Sequence, residues 1–133
     1  MFKLNHISVQ LACNIANYLS NSGTPTENRV LILSPRDQEL KVGSLIVPGT
    51  AKEGVPREGV AIMAGPITDE YRTYKPMIAT GMILTYGLYA GKEVDLWDEL
   101  ESSGIELSDE PNNHWEFTVL SLNEIIYVRK NGL

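Results

Sequence analysis

Arg29-Val30-Leu31-Ile32-Leu33-Ser34-Pro35 marks the point where this chain changes texture. The four aliphatic residues are rich in β-branching and end at Ser-Pro, where a strand loses its next backbone donor. Four similar runs follow. Gly59-Val60-Ala61-Ile62-Met63-Ala64 ends at Gly65-Pro66, and Met82-Ile83-Leu84-Thr85-Tyr86 lies between Gly81 and Gly87. Trp115 to Leu120 alternates in part, and Ile125-Ile126-Tyr127-Val128 comes last. Five apolar runs punctuated by Gly and Pro predict an all-β fold, a small barrel or sandwich.

Upstream of Arg29 the periodicity is helical. Ile7, Leu11, Ile15 and Leu19 recur every four residues, with Ala12 and Ala16 beside them. Asn21 to Pro25 stops the helix, with Gly23 as its expected C-cap. Leu11-Ala12-Cys13 is a poor lipoprotein box, because Gln10 stands where an apolar residue belongs, so no signal peptide is expected. Residues 1–28 read as a short appendage.

The whole chain has 133 residues, 11 Lys+Arg against 17 Asp+Glu, and a net charge of −6. That length suits one domain. A single cysteine, Cys13, rules out an intramolecular disulfide scaffold. The negative charge argues against nucleic acid or an anionic membrane as partner, and no apolar run approaches a bilayer span. No phosphate loop, nucleophile elbow or paired-cysteine motif is present, and His6 and His114 belong to no metal spacing. Neither a catalytic residue, a metal site nor a cofactor is expected.

Two connections exceed ordinary turns. The first, from Ser34 to Arg57, holds one apolar island, Leu45-Ile46-Val47, between Gly43-Ser44 and Pro48-Gly49. Two readings stand side by side: a short extra strand turning at Pro48-Gly49, or a tether offering three aliphatic side chains to a partner. The second, from Glu93 to Asn113, lies in a stretch between Lys92 and Arg129 that contains no Lys or Arg. It reads as a solvated acidic insertion, in which Leu96, Trp97 and Leu100 suggest one helical turn.

Taken in order, these segments resemble the GroES-like co-chaperonins, particularly the divergent forms encoded by bacteriophages. Arg29 to Leu33 is similar to the family's opening strand. GSLIVPGTA (43–51) is similar to its mobile loop, REGVAIMAGP (57–66) to the returning strand, ATGMILTYG (79–87) to a later strand, and FTVLSLNEIIYV (117–128) to the carboxy-terminal strands. The resemblance implies residues 29–133 as the co-chaperonin domain, with a mobile loop at about 35–56, a roof excursion at about 66–78 and an acidic insertion at about 95–113.

It also implies a cytoplasmic ring of identical subunits, heptameric in the family, that caps a GroEL-type chaperonin and encloses an unfolded substrate protein. If the chain is phage-encoded, the compartment is the host cytoplasm and the client a capsid protein. ATP would bind the chaperonin, not this chain. Leu45, Ile46 and Val47, flanked by Ser44 and Pro48, would dock. Val30, Leu31 and Ile32 of one subunit would meet Ile125, Ile126 and Tyr127 of the next. Residues 1–24 and 95–113 would lie outside the barrel core. Two alternatives remain: a trimeric dUTPase-like enzyme, because Gly65 to Arg72 resembles that family's Asp- and Tyr-bearing hairpin, or a viral structural β-barrel.

Overall fold

The computed structural model describes residues 7–35, 41–42, 45–46, 56–74, 77–87, 90–105 and 115–130, with Lys41, Val42, Leu45, Ile46 and Pro56 as backbone alone. Six strands form one antiparallel sheet: β1 (Arg29–Pro35), β4 (Pro56–Ala64), β5 (Ile83–Gly87), β6 (Lys92–Val94), β7 (Trp115–Ser121) and β8 (Ile125–Arg129). Their spatial order is β6-β7-β1-β4-β5-β8. A separate two-stranded ladder pairs β2 (Lys41–Val42) with β3 (Leu45–Ile46). Each of the five apolar runs became a strand, so the all-β expectation holds. The sixth, β6, is a polar three-residue edge strand with no apolar run to announce it.

β1 is the centre of the molecule. It pairs with β4 on one side and β7 on the other, and six of its seven residues are buried. A strand covered on both faces reads as a continuous aliphatic run rather than an alternation. One face contributes Leu31, Leu33, Val60, Ile62, Ile83, Trp115 and Phe117 to a first core cluster. The other contributes Val30, Ile32, Ala61, Leu84, Tyr86 and Leu120 to a second, against which Ile125 and Val128 of β8 also pack. Since three strands separate β7 from β8 in the sheet, sharing one cluster requires the sheet to curl around it.

The first face is closed by helices. α1 (Val9–Leu19) begins at Ser8, whose hydroxyl accepts from the Leu11 N–H, the ordinary way to satisfy an orphan donor. It ends at Ser20 in the right-handed region, not at Gly23; the Gly23 N–H donates to the Leu19 carbonyl at 3.2 Å. α2 (Trp97–Ser103) packs its Trp97 ring 4.8 Å from that of Phe117.

The described parts of these two segments, 7–24 and 95–105, therefore do not stand outside the core. Ile7, Ala12, Ile15, Leu19 and Leu100 are all within the first cluster and essentially inaccessible. An amphipathic stripe needs an apolar surface to cover it, and one sheet face supplies that surface. Gly81, at φ +95°, lets α1 settle: a Cβ there would lie 2.9 Å from a Val9 methyl. Residues 106–113 lie outside the described residues.

In the excursion after β4, Asp69–Tyr74 forms a 3₁₀ segment, not the hairpin of the dUTPase-like alternative, with the Tyr71 and Tyr74 rings 5.9 Å apart. Its base is fixed by Asn28, whose amide donates to Thr68 Oγ1 and accepts from the Thr68 N–H, at 3.0 and 2.9 Å.

Candidate functional site

The long connection leaves the sheet at Pro35 and returns at Pro56. These two roots sit side by side because β1 and β4 are antiparallel neighbours. Arg57 ties them. Its guanidinium donates to the Pro35 carbonyl at 3.0 Å and to Glu116 Oε1 of β7 at 3.2 Å. The two charged side chains are only 16% and 12% exposed. A planar guanidinium can hold a carbonyl and a carboxylate together in fixed geometry, which an ammonium cannot. Ser34, fully buried beside this pair in sequence, lies at the same root. Sequence reasoning did not single out Arg57 or Glu116; nothing in a lone strand arginine signals a partner on a strand far along the chain.

Of the expected docking residues, Leu45 and Ile46 form β3, in register with Val42 and Lys41. The short extra strand is thus present as backbone, paired with the strand that precedes it. Ser44, Val47 and Pro48 lie outside the described residues.

The expected subunit contact needs one correction. Val30, Leu31 and Ile32 are buried in the central strand, and both of its backbone edges are occupied within the chain. They have no edge left for a neighbour's strand. β8 differs: among the described residues it pairs only with β5, Ile125 is partly buried, and Ile126 and Tyr127 are 67% and 62% exposed. Among the described residues, the two end strands of the sheet are β8 and β6.

No helix among the described residues is long and apolar enough to cross a membrane. No three His, Cys, Asp or Glu side chains converge as a metal site among the described residues.

A central strand leaving into a long connection, a returning strand ending at Gly65-Pro66, and a terminal strand pair on a curled six-stranded sheet define a small co-chaperonin-type β fold. The family model for the chaperonin 10 Kd subunit matches residues 22–109, and the chain belongs to that family. It is 39% identical over 74 residues to a co-chaperonin GroES of Rhodobacter capsulatus, covering 54% of this chain and 77% of that protein. It is 34% identical over 73 residues to a co-chaperonin GroES of Oleidesulfovibrio alaskensis, covering 54% and 77%. A third, from Gemmatimonas aurantiaca, is 36% identical over 76 residues, covering 56% and 77%. α1 precedes the matched residues, and β7 and β8 follow them.

Proposed function

We propose that this chain is a co-chaperonin that assembles into a ring, a heptamer on the family's pattern, and caps a GroEL-type chaperonin in an ATP-dependent manner. Capping encloses an unfolded protein in the cytoplasm; the chain itself performs no reaction and binds no nucleotide. For a phage-encoded member the client would be a capsid protein. The observation that carries this reading is the family match over residues 22–109, which spans the long connection and both strands that anchor it. The Arg57 tie at its roots supports the same role, since a docking segment works best when its ends are held on a rigid frame.

Docking is assigned to Leu45, Ile46 and Val47, with Ser44 and Pro48 at their flanks. Burying one such aliphatic side chain contributes roughly 1.5–3 kcal/mol. Ordering a flexible segment opposes this by about 1–2 kcal/mol per residue. A single arm is therefore weak and releasable, and several arms on one ring bind through effective concentration. The dUTPase-like reading loses its support, because Asp69–Tyr74 forms a 3₁₀ segment where that reading needs a hairpin.

The test is complex formation with a bacterial GroEL-type chaperonin, with and without ATP, read by size-exclusion chromatography. The wild-type chain co-elutes only with nucleotide. Ile46→Asp, which places a charge in an apolar groove, abolishes co-elution while circular dichroism stays unchanged. Full binding by a folded Ile46→Asp ring would remove the tripeptide from the mechanism.

A further inference from the structure

The two helices and the sheet face they cover do not close completely. A cavity of about 250 Å³ remains between the end of α1, the sheet and the start of α2. Leu19, Pro25 and Leu31 form its buried side, and Met63, Val94 and Val119 complete an apolar wall. Protein interiors are packed as densely as organic crystals, so an apolar gap of this size is room for an occupant. A cavity of ~150 Å³ accepts a benzene-sized group; this one has space for a ring with a short chain attached.

The polar part of the wall has a definite sign. Glu99 of α2 is the charged residue that lines the cavity, and Ser22 and Thr24 add hydroxyls. α1 contributes in the same direction, because its C-terminal end opens onto the cavity through Leu19 and the residues that follow it. The carbonyls of a helix's last turn carry a partial negative charge that Lys, Arg or His ordinarily offsets. The last turn of α1 has no basic residue, and none is found among the described residues lining the cavity. A carboxylate and a helix C-terminus thus face one apolar space with no cation between them.

We propose that this cavity is a binding site for a small amphiphilic amine, its aryl or alkyl body against the apolar wall and its ammonium group at Glu99. The wall selects the body by size and the two negative features select the head group by charge. An anion of the same shape meets both features with the wrong sign. A neutral molecule fills the space but gains no charge-assisted hydrogen bond. The site depends on α1 and α2 packing together on the sheet, so an amine that binds there binds the folded chain and stabilises it by mass action. Binding is independent of the ring and of the docking tripeptide, and its test uses no chaperonin.

The test compounds are phenethylamine, 2-phenylethanol and phenylacetate, which share one shape and at neutral pH are positive, neutral and negative. The readout is the methyl spectrum of the full chain labelled with [13C-methyl]methionine. Met63 lines the cavity, whereas Met77 and Met82 do not; Met63→Leu assigns the Met63 signal. With phenethylamine that signal should move and saturate while those of Met77 and Met82 stay fixed. The amine should bind about tenfold more tightly than the alcohol, as expected for a hydrogen bond to a charged group, and phenylacetate should bind least. Glu99→Gln should bring the amine down to the level of the alcohol and leave the alcohol unchanged. Asp98→Asn, at an exposed position one residue away, should keep the preference.

The wild-type titrations need no variant, so they decide the matter even where a substitution prevents folding. A Met63 signal that ignores the amine, equal movement of all three methionine signals, or equal affinity for amine and alcohol would each overturn the proposal. So would a preference for the amine that survives in folded Glu99→Gln.

Discussion

Asn28 shows how much one residue can hold. It adopts φ 58° outside glycine, a region Asn tolerates better than most residues. Its N–H donates to the Pro66 carbonyl, its carbonyl accepts from the Leu122 N–H, and its side chain makes the paired contact with Thr68. Three segments thus meet at the start of β1. Asn28→Ala loses both side-chain bonds and adds αL strain, so urea unfolding should show a loss of about 1–3 kcal/mol. Asn28→Gly, which keeps the backbone relaxed, should lose less. Arg57→Met removes the hydrogen bonds to the Pro35 carbonyl and to the largely buried Glu116 carboxylate. We expect it to lower stability by a similar ~1–3 kcal/mol and to weaken chaperonin docking more than Arg57→Lys does.

Among the elements, α1 is the one whose role changed most between sequence and structure. Its spacing correctly announced a helix with an apolar stripe, although the C-cap is Ser20, three residues before the expected Gly23. Spacing says that a face will be buried, but not against what. The answer is the sheet face carrying Val60 and Ile62, with α2 alongside. Ile15→Ala should cost about 2–5 kcal/mol, a large share of a typical domain's total stability. A chain beginning at Pro25 should expose the first cluster and bind a hydrophobic dye; retention of native thermal unfolding by that truncation would return α1 to the status of an appendage. The linker is equally committed: at Gly65 a side chain would collide with the carbonyl oxygens of Pro25 and Thr26, so Gly65→Ala should destabilise although no contact is deleted.

At the level of the assembled molecule, electrostatics gives an independent handle. The acidic stretch with no Lys or Arg between Lys92 and Arg129 was read as a solvated insertion. Its described part instead borders a cavity and includes a core residue, Leu100. If basic residues of a neighbouring copy face it, raising salt from about 0.05 to about 0.5 M should shift sedimentation toward monomer, as the screening length falls well below 10 Å. Lys130→Glu should have the same effect at low salt. A salt-independent distribution would mean that ion pairs between copies do not set the association.

Strand identity was legible because it is local: β-branched runs, Gly-Pro stops and a period of about two or four residues are properties of neighbours in sequence. The order of the aliphatic segments also carried the family. What no local pattern contained was pairing between distant residues. Arg57 meets Glu116 59 positions away, Asn28 meets Thr68 40 away, and Arg129 meets Glu58 71 away. Each contact offsets the entropy of closing a long loop only when the rest of the sheet forms with it. The same cooperativity put β1 at the centre, occupied both its edges and turned Val30, Leu31 and Ile32 from candidate interface into core. Among the described residues it left β8 and β6 at the two ends of the sheet, because antiparallel neighbours claim each other's backbone in the order that topology allows.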